Sequence, residues 1–215
     1  MDLFDILHIA LQIVTGMIYL TEKHFLHNDL SARNIFLSDN LNIKISNIAR
    51  YRRKYHHNYY KLANRLLPVR WMSNESLLNG IYSEMSDVWS FAVLLWEMFS
   101  SGAQPYQGYT SPEVIEMIRD QKLLPCPNSC PKRIYTLMCS CWEERSDHRP
   151  TFSELLKKLK LFEERSKTLS IVSNSIQPIE SPTTTTTYRA FLAPPDPRLV
   201  TQILGTDRNS FHFQV

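Results

Sequence analysis

At His27-Asn28-Asp29-Leu30-Ser31-Ala32-Arg33-Asn34 the hydrophobic rhythm of the chain changes. Upstream, Leu3, Ile6, Leu7, Ala10, Ile13, Val14, Met17 and Leu20 recur at helical spacing, which predicts a helix over 3–24. Downstream, two short apolar runs at 35–37 and 41–45 flank the turn-forming Ser38-Asp39-Asn40, which predicts a small β-hairpin. The stretch between them is a compact polar loop. It carries an aspartate, Asp29, and five residues later an asparagine, Asn34.

Outward from this loop the chain is ordinary in bulk. It has 215 residues, 43% hydrophobic and 21% charged, enough for one sizeable core and at most two domains. A net charge of +3 is too small to argue for nucleic acid or a membrane surface. The start of the chain lacks the basic n-region of a secretory signal. The longest apolar stretch, 88–99, contains Ser90 and Glu97, is too short to span a bilayer and reads as a buried helix. The expectation is a soluble, cytoplasmic protein with no membrane segment and no nucleic-acid partner. Cys126, Cys130, Cys139 and Cys141 fall in one short stretch. They read as bridges in a secreted domain, as a zinc site, or as buried thiols in an apolar helix.

Residues 46–70 show no steady period and carry the basic cluster Arg50, Arg52, Arg53 and Lys54. Helical patterns return at 86–99, 111–121, 131–142 and 151–163, the last three separated by proline-containing breaks. Composition then shifts to serine, threonine and proline, with five threonines at 183–187 and Pro194-Pro195-Asp196-Pro197. Such a segment buries too little apolar surface to offset its ordering entropy, so 164–215 is expected to be a disordered tail and 1–163 the folded domain.

The loop 27–34 matches the H-R-D-x-x-x-x-N spacing of protein kinase catalytic loops. The chemistry explains the spacing. Asp29 would orient an acceptor hydroxyl and take its proton, and Asn34 would reach a metal ion bridging the ATP phosphates. The ending Ser31-Ala32-Arg33-Asn34 resembles that of protein tyrosine kinases, and by that resemblance Arg33 helps place the substrate phenol. Leu67-Pro68-Val69-Arg70-Trp71-Met72 is similar to the segment that receives the residue after the target tyrosine. Ser86-Asp87-Val88-Trp89-Ser90-Phe91-Ala92-Val93 is similar to the buried helix supporting the catalytic loop, with Asp87 expected to accept backbone N–H bonds from that loop. Glu75 and Arg149 stand where the family has an ion pair tying the activation segment to the lobe. The implied fold is mainly α, the C-terminal lobe of a protein kinase with a short β-hairpin at the catalytic loop.

Leu7 to Ile13, Gln104-Pro105-Tyr106-Gln107-Gly108-Tyr109, Glu113 to Arg119 and Leu123-Leu124-Pro125-Cys126 narrow the resemblance to the receptor tyrosine kinase-like orphan receptors, the Ror family, over about 3–163. This resemblance accounts for Cys126, Cys130 and Cys141 without metal. It implies ATP and Mg²⁺ as cofactors and protein substrates or signalling adaptors as partners. It also implies a single-pass receptor for Wnt ligands, with the kinase domain at the cytoplasmic face of the plasma membrane. Tyr55, Tyr59 and Tyr60 form the Y-x-x-x-Y-Y of an autophosphorylated activation loop in Ror-like and insulin-receptor-like kinases.

Three departures weigh against catalysis by this chain alone. No Gly-rich loop, phosphate-binding lysine or partnering glutamate occurs in the 215 residues, so the N-lobe is missing from them. The Asp-Phe-Gly position reads Asn47-Ile48-Ala49, which offers Mg²⁺ a neutral oxygen for a carboxylate. Asn28 replaces the arginine that would pair with a phosphorylated loop. Three readings remain: the C-terminal part of a Ror-like receptor tyrosine kinase, a Ror-like pseudokinase acting as an interaction module, and a protein whose basic segment binds an acidic surface.

Overall fold

The computed structural model describes residues 1–47, 59–62 and 65–175. Tyr55, Ala49, the basic cluster at 50–54 and the threonine- and proline-rich stretch lie outside the described residues.

The first helix, α1, spans Leu3–Glu22 and is fixed at its start by reciprocal bonds between Asp2 and Asp5, a capping box. By length and composition α1 could cross a membrane, which the sequence reading credited to no segment. Here it packs against other helices, with Ile6, Leu7, Ala10, Ile13, Val14 and Met17 in the core.

The catalytic-type loop follows and ends in a 3₁₀ turn, Ala32–Asn34. Strands β1 (Ile35–Leu37) and β2 (Ile43–Ile45) then pair antiparallel, Ile35 opposite Ile45 and Leu37 opposite Ile43. The second strand starts two residues later than its apolar run suggests. Leu41 sits at φ 57°, inside a turn in which Ser38 bonds to Leu41 and Asn42, and it cannot join a ladder.

The stretch without a period holds a second hairpin, β3 (Tyr60–Leu62) and β4 (Arg65–Leu67), whose strands of three residues are too short to display one. A 3₁₀ turn at Val69–Trp71 and the short helix α2 (Asn74–Asn79) come next. With six residues, α2 carries no apolar stripe that would predict a helix. It ends at Gly80, whose φ of 66° is the left-handed C-cap that favours glycine.

Helix α3 (Glu84–Phe99) is the axis of the domain. Apart from Met98, every residue from Ser86 to Phe99 is buried, as expected for a helix apolar all round. Around it lie α4 (Ser111–Arg119), α5 (Lys132–Cys141) and α6 (Phe152–Ser175). Thr110 with Glu113 and Thr151 with Glu154 set the starts of α4 and α6.

The last helix runs to Ser175, past the expected end at 163. Residues 163–168 are polar, and the Lys167–Glu163 pair at i,i+4 gives local support there, which a search for apolar periodicity does not register.

Candidate active site

Three elements deliver the site: the loop after α1, the segment from Tyr59 to Trp71, and the first and last turns of α3. Asp29 is buried, and both carboxylate oxygens are engaged. Oδ1 accepts from Arg33 Nη2, and Oδ2 accepts from the Tyr59 hydroxyl at 2.6 Å. Arg33 Nε also donates to that hydroxyl, at 3.1 Å. Its guanidinium lies 4.0 Å from the Trp71 ring centroid and 4.8 Å from that of Tyr59. Asp29, Arg33 and Tyr59 therefore meet at one phenolic oxygen. Burial and the bond to Asp29 push the Tyr59 phenol up to about 12, so it stays protonated and keeps donating.

The loop is held from below by two buried carboxylates. Asp87, in the first turn of α3, accepts from His27 N and Asn28 N, each at 2.8 Å. Glu97, near the other end of α3, accepts from Ala32 N at 3.0 Å and from Trp71 Nε1 at 2.9 Å. Glu97 thus fixes both the loop and the ring on which Arg33 stacks. Sequence reasoning gave it no role. The available signal was an acid inside a continuous apolar helix, because a buried charge is costly unless it is used.

Burial pushes Asp87 up to about 6 and Glu97 up to about 7, against the hydrogen bonds that favour their charged forms. Both values are raised in the folded state, so between the ordinary carboxylate range and about 7 the native chain binds more protons than the unfolded one. Stability should therefore fall as pH rises through that window, by on the order of 3 kcal/mol for Glu97. Glu97→Gln keeps an acceptor without the charge. Its melting temperature should change much less between pH 5 and pH 7, and a slope equal to the parent's would refute the assignment.

His27 accepts from Asp29 N through Nδ1 at 3.3 Å, which leaves the proton on Nε2 for the Ser46 carbonyl at 3.1 Å. Asn28 takes φ 61°, a left-handed conformation that asparagine adopts more readily than most residues, and its Oδ1 is buried without a hydrogen bond.

Asn34 and Asn47 are the residues available to a cation. Asn34 commits Nδ2 to the Asp29 carbonyl at 2.8 Å, and Asn47 commits Nδ2 to the His27 carbonyl at 3.0 Å. Asn47 Oδ1 is buried with no hydrogen-bond partner. Among the described residues no cluster of three metal-ligating His, Cys, Asp or Glu side chains exists. Two carboxamides without a free carboxylate fit Mg²⁺ poorly.

The cysteines show the same absence of a metal cluster. Cys130 and Cys141 are buried free thiols, and burial pushes each up to about 12.

Glu75 and Arg149 form a two-pronged pair away from the loop, at 2.7 and 2.8 Å. Arg70 donates to the carbonyls of Pro105, Tyr106 and Tyr109, tying the segment after β4 to the loop before α4.

Tyr59 is buried and Tyr60 only partly so, which separates two tyrosines that the sequence treats alike. A tyrosine kinase added in trans should phosphorylate Tyr59 slowly. Arg33→Ala removes one of its bonds and should speed that reaction roughly tenfold, since a hydrogen bond to a charged group contributes about 1.5–3 kcal/mol. Phosphopeptide mapping showing equal rates in both proteins would contradict the geometry.

Residues 1–159 match the family model for the protein tyrosine and serine/threonine kinases. The chain is 47% identical over 161 residues to the tyrosine-protein kinase transmembrane receptor Ror of Drosophila melanogaster, covering 74% of this chain and 24% of that protein. It is 43% identical over 157 residues to the insulin receptor of Xenopus laevis, covering 73% and 12%. With the NT-3 growth factor receptor of Gallus gallus it shares 41% over 160 residues, covering 74% and 19%. The chain thus spans about a quarter or less of the length of these curated relatives.

Proposed function

Because this chain belongs to the protein tyrosine and serine/threonine kinase family, we propose that it is the acceptor-binding lobe of a Ror-like receptor tyrosine kinase, working at the cytoplasmic face of the plasma membrane. In the complete protein the reaction is transfer of the γ-phosphoryl group of ATP to a tyrosine hydroxyl of a protein substrate. The observation that carries this reading is the Tyr59 phenol, 2.6 Å from Asp29 Oδ2 and 3.1 Å from Arg33 Nε. The site already holds the functional group that it would phosphorylate.

A substrate tyrosine taking the place of Tyr59 would present its oxygen to the phosphorus while Asp29 Oδ2 receives the phenolic proton. The new O–P bond forms as the bond to the ADP oxygen breaks. Arg33 fixes the angle of approach, and its stacking on Trp71 keeps the guanidinium at the depth of a phenol. Tyr59 occupies the same place, so it must leave before a substrate enters, and its phosphorylation would prevent its return. ATP and Mg²⁺ need more than this lobe supplies, so the 215-residue chain alone is inactive.

A second reading, a Ror-like pseudokinase that recruits adaptors in Wnt-type signalling, is favoured by Asn47, which brings no carboxylate to the metal position. Radiolabelled transfer from ATP to a poly-Glu-Tyr substrate separates the two. The kinase reading expects none from the 215-residue chain, and transfer by the full-length transcript product that disappears in Asp29→Asn. A full-length product that carries a Gly-rich loop and strand lysine and yet transfers nothing would establish the pseudokinase.

A further inference from the structure

A groove runs between α5 and α6, and none of the residues placed around Asp29 lines it. Ile134 and Leu137 of α5 face Leu161 and Phe162 of α6. Ile134 is 1% exposed, whereas Leu161 keeps 47% of its surface in solvent. The rim is cationic, formed by Arg133, Lys158 and Arg165. Elsewhere on the surface Arg119, Lys122, Arg145 and Lys167 each pair with a nearby carboxylate, whereas Lys132, Lys157 and Lys160 form no ion pair among the described residues. Among the described residues the three rim cations likewise form no ion pair. Glu154 bonds to Thr151 and also feels the charge of Lys158, and Glu164 lines an adjoining recess together with Arg133, Arg165 and Thr168.

We propose that this groove binds a long-chain carboxylate, an amphiphile with one alkyl chain and one anionic head group. The head group lies between Arg133 and Arg165, and the chain covers the apolar floor. Three features select this occupant. Lys158, Leu161, Phe162 and Arg165 stand at i, i+3, i+4 and i+7, so one face of α6 carries both the charge and the apolar surface. Arg133 and Arg165 also share the adjoining recess with Glu164, which puts two guanidiniums against one carboxylate at that end, and their planar forks suit a second carboxylate. The cavity measures about 310 Å³. That is the small end of the roughly 300–1,000 Å³ typical of small-molecule sites, and it suits one alkyl chain better than the row of anchors that an amphipathic helix inserts.

The test is calorimetric titration of the 215-residue chain with dodecanoate below its micellar concentration. The expected result is saturable one-to-one binding. Dodecanol, which lacks the charge, should bind at least roughly tenfold more weakly, and acetate, which lacks the chain, should not bind, because charge-assisted bonds and alkyl burial each carry part of the affinity. Arg133→Gln with Arg165→Gln, and separately Leu161→Asp, should lower dodecanoate affinity by roughly tenfold or more at unchanged melting temperature.

Methyl NMR of the unmutated chain supplies a second measurement, with shifts expected at Ile134, Leu137 and Leu161. Equal binding of dodecanol, uptake of many dodecanoates per chain, or shifts centred elsewhere would each overturn the proposal. So would binding to phosphatidylcholine vesicles containing one-fifth phosphatidylserine with none to dodecanoate, which would assign the face to a membrane surface. Capture of an acidic helical peptide with no response to dodecanoate would assign it to a protein partner.

Discussion

Arg149→Ala should destabilise the domain by about 3–5 kcal/mol, the cost of breaking a buried ion pair from one side. The Arg149 side chain is fully buried and that of Glu75 is 15% exposed. Nη1 and Nη2 bind the two oxygens of Glu75, Nε donates to the Glu143 carbonyl at 2.8 Å, and Nη1 also reaches the Met85 carbonyl at 3.0 Å. The guanidinium lies 5.0 Å from the Trp89 ring centroid, which brings the pair against α3. Alanine would strand one carboxylate and at least two carbonyls together.

Glu75→Ala should cost less, because Arg149 keeps its carbonyl acceptors. Arg149→Lys should rescue little, since one ammonium cannot serve a forked carboxylate and the carbonyls at once. Burial pushes Glu75 up, but the bonds and charge of Arg149 outweigh it and hold Glu75 below the ordinary carboxylate range. The contribution of the pair is therefore present above that range and is lost only as pH falls through the depressed value. Denaturant melts of Arg149→Ala and Glu75→Ala that overlay the parent would show that the pair is ornamental.

The second large effect concerns Asn47. In the free chain Asn47→Asp should cost about 1–3 kcal/mol, because an ionised carboxylate cannot donate to the His27 carbonyl and would lie buried beside it. With the N-lobe supplied by a Ror-like relative, the sign should reverse. The hybrid carrying Asn47 should bind ATP weakly, with little dependence on Mg²⁺. Asn47→Asp combined with Ala49→Gly should make that binding strongly Mg²⁺-dependent, since a charged ligand to a phosphate-bridging metal is worth several kcal/mol. Calorimetry with and without Mg²⁺ on the two hybrids decides the matter. Equal, strongly Mg²⁺-dependent affinities in both would show that the carboxamide suffices and would remove the main argument for a pseudokinase.

Much of this arrangement could be read from residue order, because it rests on spacing within single elements. The Asp29–Asn34 interval, the apolar period of α1 and the long apolar run of α3 are local patterns, and each lies where its pattern put it. The role of Asp87 as support of the loop is implied by the resemblance of 86–93 to the corresponding kinase helix. Other features had no local signal. Strands β3 and β4 are too short to show a period, and α2 has only six residues, with no apolar stripe to mark it. In α6 the Lys167–Glu163 pair at i,i+4 adds local support that apolar periodicity does not register.

By itself the sequence determined the kinase fold, the loop with the catalytic spacing, and the presence of Asn47 where the family has an aspartate. These are properties of residue type and spacing, which survive without coordinates. Only the tertiary structure decided which tyrosine sits on Asp29, that Glu97 braces both the loop and Trp71, and that three cations gather around an apolar groove. Each depends on bringing together residues far apart in the chain, Asp29 with Tyr59, Ala32 with Glu97 and Arg133 with Arg165. Packing around α3 sets those distances, and no periodicity along the chain encodes them.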